Sequence, residues 1–277
     1  MYWIDTHTHI YMEAGITQQD ACMERTLSAG VKKIILAGVD RNAVKPIADF
    51  CARHRGNAFA AIGLHPTDVY ENYLDELAFM ENMLIDVNNG SNNSNGGGNC
   101  GSRYVAIGET GIDLYHDKSF EKEQEAALEA QLQWAKKYNL PVIFHVRNEA
   151  GNDNAMRKIL QILHSWQDGS LRGVFHCYSG DTGQAKQVVD MGFYLGIGGV
   201  LTFKNAGALP EVVKQIPIEH LLLETDAPFL APVPYRGQKN ESSYLPLTGH
   251  KMAEILNRSA EDVADITSRN AEILFGI

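Results

Sequence analysis

Eight short apolar runs recur along the chain, separated by polar helix-forming stretches, and this beat restricts the fold more than any other feature. The runs are YWIDTHTH (2–9), KKIILAGV (32–39), AFAAIGLH (58–65), YVAIGETG (104–111), PVIFHV (141–146), RGVFHCYS (172–179), FYLGIGG (193–199) and HLLLETD (220–226). Most are near-continuous rather than alternating, the pattern of parallel strands buried on both faces. Between them apolar residues fall at helical spacing: over 16–30, with Thr17 as the expected N-cap and Gly30 as the stop, over 118–140, ended by Pro141, and over 182–192 and 205–216. The tail from 259 to 277 reads as a closing amphipathic helix that packs Val263, Ile266, Ile273 and Leu274. Strand and helix alternating eight times in 277 residues predicts an α/β chain, a (β/α)8 TIM barrel in a single domain over 1–277, with a doubly wound sheet as the alternative.

One stretch breaks the rhythm. NNGSNNSNGGGNCGS (88–102) has almost nothing apolar to bury, so it is expected to be a flexible surface insertion. As a helix-to-strand connection it falls at the bottom face of such a barrel, away from the chemistry, and no function is assigned to it.

The formal net charge of −10 argues against a broad basic surface for nucleic acid, though bound cations can supply positive charge in one cleft. No apolar run is long enough to cross a membrane. The chain enters its first strand without a basic, cleavable leader, so a cytoplasmic location is expected. Cys22, Cys51, Cys100 and Cys177 form no C-x-x-C pair and read as reduced thiols. Cys177 follows a histidine on an expected strand, should face away from it, and is read as packing.

The polar residues are placed less randomly. Side chains two apart on a strand share a face, so Asp5, His7 and His9 of IDTHTHI point one way. In a barrel of this kind reactive groups sit at the C-terminal strand ends. His7 and His9 end the first strand and His65 the third; Glu109 lies near the end of the fourth. His145 ends the fifth strand, His176 the sixth, and Glu224 with Asp226 the eighth. A lone strand-end histidine is more often structural, but independent accidents do not converge on one rim. The set predicts a metal centre. His7 and His9 with carboxylates from the fourth and eighth strands give one ion a His₂–carboxylate₂ shell, and His145 with His176 needs its own ion. Glu109, between them in strand order, is placed to bridge both. Asp5, deeper on the same face, is expected to support the ligands from behind. Mixed nitrogen and oxygen donors suit Zn²⁺, Mn²⁺, Fe²⁺ or Co²⁺, and Mg²⁺ less well.

Taken in order, IDTHTH, GLHP, IGETGID, IFHVR, FHCYSG, LLLETDAP, the RGQKN loop and SRNAEILFG make the chain resemble the TatD-type metal-dependent deoxyribonucleases from residue 2 to 276. The resemblance implies an amidohydrolase-like (β/α)8 barrel and a two-metal phosphodiesterase that cuts DNA, commonly as a 3′-to-5′ exonuclease. It implies His7, His9, Glu109 and Asp226 as ligands of one ion, and Glu109, His145 and His176 of the other. Two features depart from the family pattern: the Asn/Gly-rich insertion, and Ser242-Ser243 after Asn240-Glu241 where a proline is usual.

The expected reaction is an in-line displacement at phosphorus by a hydroxide shared between the ions, with Asp226 orienting the nucleophile and taking its proton. His65 is expected to bind phosphate or protonate the leaving oxygen. Arg147, Arg236 and Lys239 are candidates for flanking phosphates, and Tyr178 and Tyr235 for base stacking. With so few cations, the expected partner is DNA at single-stranded or frayed ends, and no obligate protein partner is evident. Another metal hydrolase on the same barrel, a lactonase, deacylase or deaminase, is the alternative. The fourth strand carries Glu109 and no lysine to be carbamylated, which favours the nuclease.

Overall fold

The computed structural model describes residues 1–88 and 103–277, so the Asn/Gly/Ser-rich segment expected as a surface loop lies, from residue 89 on, outside the described residues. Its strands are β1 (Trp3–Thr8), β2 (Val31–Leu36), β3 (Ala58–Ile62), β4 (Ala106–Asp113), β5 (Val142–Arg147), β6 (Gly173–Phe175), β7 (Tyr194–Ile197) and β8 (Leu221–Leu223). The main helices are α1 (Ile16–Ser28), α2 (Arg41–Arg53), α3 (Tyr73–Asn88), α4 (Glu121–Tyr138), α5 (Asn154–Trp166), α6 (Thr182–Asp190), α7 (Leu209–Gln215), α8 (Leu245–Leu256) and α9 (Ala260–Phe275). The strands form one eight-stranded sheet in chain order, and strand–helix alternation in that order is the (β/α)8 barrel. Among the described residues no helix is long and apolar enough to cross a membrane.

The chain divides into two compact units: Met1–Leu36 with His176–Ile277, and Ala37–Phe175. In the first, β1 pairs in parallel with β2, and β7 with β8. Helix α9 packs on β1 and β8. All six residues of β1 are buried, as a strand covered on both faces must be. In the second, β3, β4, β5 and β6 pair successively in parallel. A Cβ on Gly111, at φ +153°, would come within 1.9 Å of the His145 carbonyl oxygen, so only glycine lets β4 lie this close to β5.

Local chemistry moved several expected boundaries. Helix α1 starts at Ile16 with Gly15, not Thr17, at its N-cap position. Asn139 in the left-handed conformation ends α4 before Pro141 is reached. Strand β6 stops at Phe175, because the chain turns sharply through Cys177 at φ +45°. Cys177 is therefore half-buried in a turn, not on a strand as expected. In α9, Val263 and Leu274 are buried, but Ile273 is 63% exposed and does not join the core.

Candidate metal centre

In the first unit both imidazoles of the opening motif reach one point, His7 from within β1 and His9 from the residue just past its end at Thr8. His7 Nε2 and His9 Nε2 stand 3.2 Å apart on buried rings. Asp226 Oδ1 is 3.7 Å from the first and 3.5 Å from the second. The backbone sets this carboxylate in place: Asp226 adopts φ +56°, a left-handed conformation that aspartate tolerates, and its N–H donates to the His7 carbonyl at 2.9 Å. Burial opposes ionisation of Asp226, but the His9 hydrogen bond and the neighbouring His176, His7 and His9 hold its carboxyl below the usual range.

His176 stacks on His7 with ring centroids 3.9 Å apart and groups with His7 and Asp226 as donors within 4.8 Å of one another. Behind it Glu224, fully buried, approaches His176 Nδ1 at 3.4 Å and accepts the Cys177 N–H. A carboxylate on one ring nitrogen fixes the orientation of the other, the usual support of a metal-binding imidazole. Gly196 makes room for it, since a Cβ there would meet Glu224 Oε2 at 2.2 Å.

Asp5 acts through the backbone. Its carboxylate accepts from the N–H groups of His7 and Thr225 and from the Thr225 hydroxyl at 2.6 Å, fastening the two segments that carry His7 and Asp226. Burial outweighs these hydrogen bonds and pushes its pKa up to about 7. The loop after β8 is held without the proline of the family pattern. Asn240, buried, donates to the carbonyls of Thr225 and Phe229 at 2.7 and 2.6 Å, and Glu241 forms a two-pronged pair with Arg25 at 2.8 Å.

The second unit gathers His65, Glu109 and His145. His145 Nδ1 lies 3.0 Å from Glu109 Oε1, and its Nε2 lies 3.0 Å from Asp113 Oδ2. Asp113, 1% exposed, also accepts backbone N–H groups of Tyr115 and His116 at 2.9 and 3.2 Å. Burial raises the Asp113 pKa, but the hydrogen bond and charge of His145 outweigh it and hold the carboxyl well below its usual range. With Asp113 taking the Nε2 proton, His145 turns its Nδ1 toward a carboxylate oxygen, where the charged ring places a second proton and a bound cation would replace it. Two electron-rich atoms at 3.0 Å need a proton or a cation between them, so this pair fits a metal ion.

His65 behaves differently. Its Nδ1 accepts the Thr67 backbone N–H at 3.1 Å, which leaves the proton of the neutral ring on Nε2, 3.5 Å from Glu109 Oε1. That tautomer donates from Nε2, although the ring also belongs to the group of donors with Glu109 and His145 that lie within 4.8 Å of one another.

Asp113 was missed in the sequence because the strand was ended at 111, whereas β4 runs to Asp113. The signal was present: in IGETGID, Glu109 and Asp113 are four apart and share a strand face. The substrate candidates fare unevenly. Arg147 is exposed, its guanidinium 4.2 Å over the Tyr115 ring. Arg236 lies over Phe203, and Lys239 is paired with Glu13 at 2.6 Å. Tyr178 is buried with its hydroxyl on the Asp181 carbonyl, so it has no face for a base, and Tyr235 stacks on Tyr244 at 4.2 Å.

A (β/α)8 barrel with imidazole and carboxylate donors at its C-terminal strand ends defines a metal-dependent hydrolase. Comparison with known proteins agrees and narrows it: residues 4–276 match the model of the TatD related DNases, and the chain belongs to that family. It is 34% identical over 273 residues to YabD, described as an uncharacterized metal-dependent hydrolase of Bacillus subtilis, covering 99% of this chain and 98% of that one. A metal-dependent hydrolase named TatD from Mycobacterium tuberculosis is 31% identical, covering 99% and 98%. The crystal structure of YjjV, a TatD homolog of Escherichia coli, superposes with a TM-score of 0.86 at 28% identity, covering 99% of this chain and 98% of that one.

Proposed function

We propose that the protein is a deoxyribonuclease that hydrolyses phosphodiester bonds at single-stranded or frayed DNA ends, in the 3′-to-5′ direction, with two divalent ions. The observation that carries this reading is the meeting of His7 Nε2, His9 Nε2 and Asp226 Oδ1 within 3.2–3.7 Å on buried rings. Glu109 and His145 form a second donor pair in the other unit. The family's description as DNases supports the substrate, and β4, AIGETGID, has no lysine to support the carbamate-bridged alternative.

Divalent ions at these positions supply Lewis acidity, acidifying water and screening charge on the phosphoryl oxygens. The chain's own groups do the rest. Asp226, held ionised, orients the attacking water and accepts its proton. His65 keeps a proton on Nε2 and delivers it to the leaving oxygen. Glu224 and Asp113 hold His176 and His145 from behind. Arg147 binds a flanking phosphate; Lys239 contributes only after leaving Glu13.

Protein loaded with Mn²⁺ or Zn²⁺ is incubated with a 5′-labelled single strand, a closed circular duplex, a lactone and an acylated amine. Stepwise shortening of the strand with the circle intact is expected, and Asp226→Asn should lower kcat by about 10²–10⁴. Binding to the strand should fall only shallowly with salt, with a log–log slope on the order of −3 or less in magnitude. Hydrolysis of the lactone or amide with DNA untouched refutes the reading.

A further inference from the structure

The second unit holds a pocket of about 370 Å³ that the chemistry above does not use, bordered by Asp68, Tyr70, Asp113, His116, Asp117 and Phe120. This volume lies at the lower end of small-molecule sites. Its apolar wall is aromatic: the Tyr70 and Phe120 rings meet edge to face at 5.8 Å, and Tyr70 is 49% exposed. Its polar wall is made of acceptors. Asp117 accepts from the N–H and hydroxyl of Ser119, and an exposed carboxylate keeps further lone pairs beyond these. The His116 ring turns Nδ1 to Asp113, so in the neutral form Nε2 carries a lone pair. Among the described residues no lysine or arginine lines the pocket. A phosphate is therefore repelled, and a flat ring bearing hydrogen-bond donors is favoured.

Position ties the pocket to the reaction. Two of its wall residues touch the catalytic side chains directly: Thr67 Oγ1 is 2.6 Å from His65 Nδ1, and Asp113 Oδ2 is 3.0 Å from His145 Nε2. The pocket thus backs directly onto the two imidazoles whose other nitrogens face Glu109. We infer, on the deoxyribonuclease reading, that this pocket receives the base adjoining the scissile phosphate and selects amino-bearing bases, cytosine and adenine, over thymine. Cytosine and adenine present exocyclic NH₂ donors, whereas thymine presents carbonyl acceptors at its edge. Stacking on the aromatic wall serves every base alike.

The experiment compares single strands that differ only in the 3′-terminal base, C, A, T or abasic, with bis(p-nitrophenyl) phosphate as a base-free diester. The expected result is kcat/KM about tenfold higher for C and A ends than for T. Asp117→Asn, at an exposed position, should bring that ratio close to one. Tyr70→Ala should lower cutting of all natural ends about tenfold relative to the diester. Equal rates for C, A and T, with both variants leaving every ratio unchanged, overturn the pocket and leave the nuclease standing. If no DNA is cut the nuclease reading fails, and the pocket is then judged by NMR titration with deoxycytidine and thymidine. Tighter deoxycytidine binding, with shifts at Tyr70 and Phe120, upholds it; no difference between the two overturns it.

Discussion

Replacing Asp113 separates support of a metal ligand from support of the fold. The carboxylate is 1% exposed and accepts from two backbone N–H groups, from His116 Nδ1 and from His145 Nε2. In Asp113→Ala those donors lose their acceptor, at the cost of breaking a buried charged pair, about 3–5 kcal/mol. A domain of this size loses roughly 2–4 °C per kcal/mol, so Tm should fall by about 6–20 °C. Asp113→Asn keeps one oxygen for the backbone N–H groups but turns an NH₂ toward His145. The ring then accepts at Nε2 and carries its proton on Nδ1, the atom that faces Glu109, so the donor lone pair is lost. The Asn variant should remain within about 2 kcal/mol of the wild type while its metal affinity at this cluster falls 10–100-fold. Metal competition titration, thermal unfolding of the metal-free protein and ¹⁵N shifts of the His145 ring read the three quantities. Wild-type metal affinity in the Asn variant, or a loss of stability equal to that of the Ala variant, refutes the reasoning.

Gly111→Ala should cost about 3 kcal/mol or more, seen in chemical denaturation, since its Cβ would sit 1.9 Å from the His145 carbonyl and β4 must part from β5. Asn240→Ala removes two buried hydrogen bonds from the loop that follows Asp226 and should cost about 2–3 kcal/mol, with metal content falling alongside. Glu272 accepts from Lys33 and Tyr2 at 2.8 and 2.7 Å, and those hydrogen bonds hold its carboxyl below the usual range. The resulting stability is complete above the unfolded carboxylate pKa and lost as pH falls through the lower folded value, so Glu272→Gln should flatten the acid limb of a stability–pH curve below about pH 4.5. The same hydrogen bond from Tyr2 pushes the phenol up to about 12. Its contribution is present below the unfolded value near 10 and disappears as pH rises past it, so the variant should lose less stability between about pH 10 and 12.

The sequence by itself determined the fold class and the rim on which the chemistry stands. Near-continuous apolar runs can be buried only as parallel strands covered on both sides, and the helical periods between them supply the cover. Period-two alternation likewise sends Asp5 and His7 to one face whatever surrounds them. Tertiary structure decided what strand periodicity cannot carry past the end of a strand. Cys177, at φ +45°, turns the chain after β6 and lays His176 on His7. Asp226 reaches the two imidazoles from a left-handed turn beyond β8. His65 and His145 read alike in sequence and share the Nε2–H tautomer, yet the Thr67 backbone N–H occupies Nδ1 of one while Asp113 turns Nδ1 of the other to Glu109. Lys239 and Tyr178 looked available for substrate until Glu13 and the Asp181 carbonyl took their polar atoms. The direction of a side chain follows from local backbone geometry, which sequence encodes; its protonation and its partners depend on residues brought near only when the chain is folded.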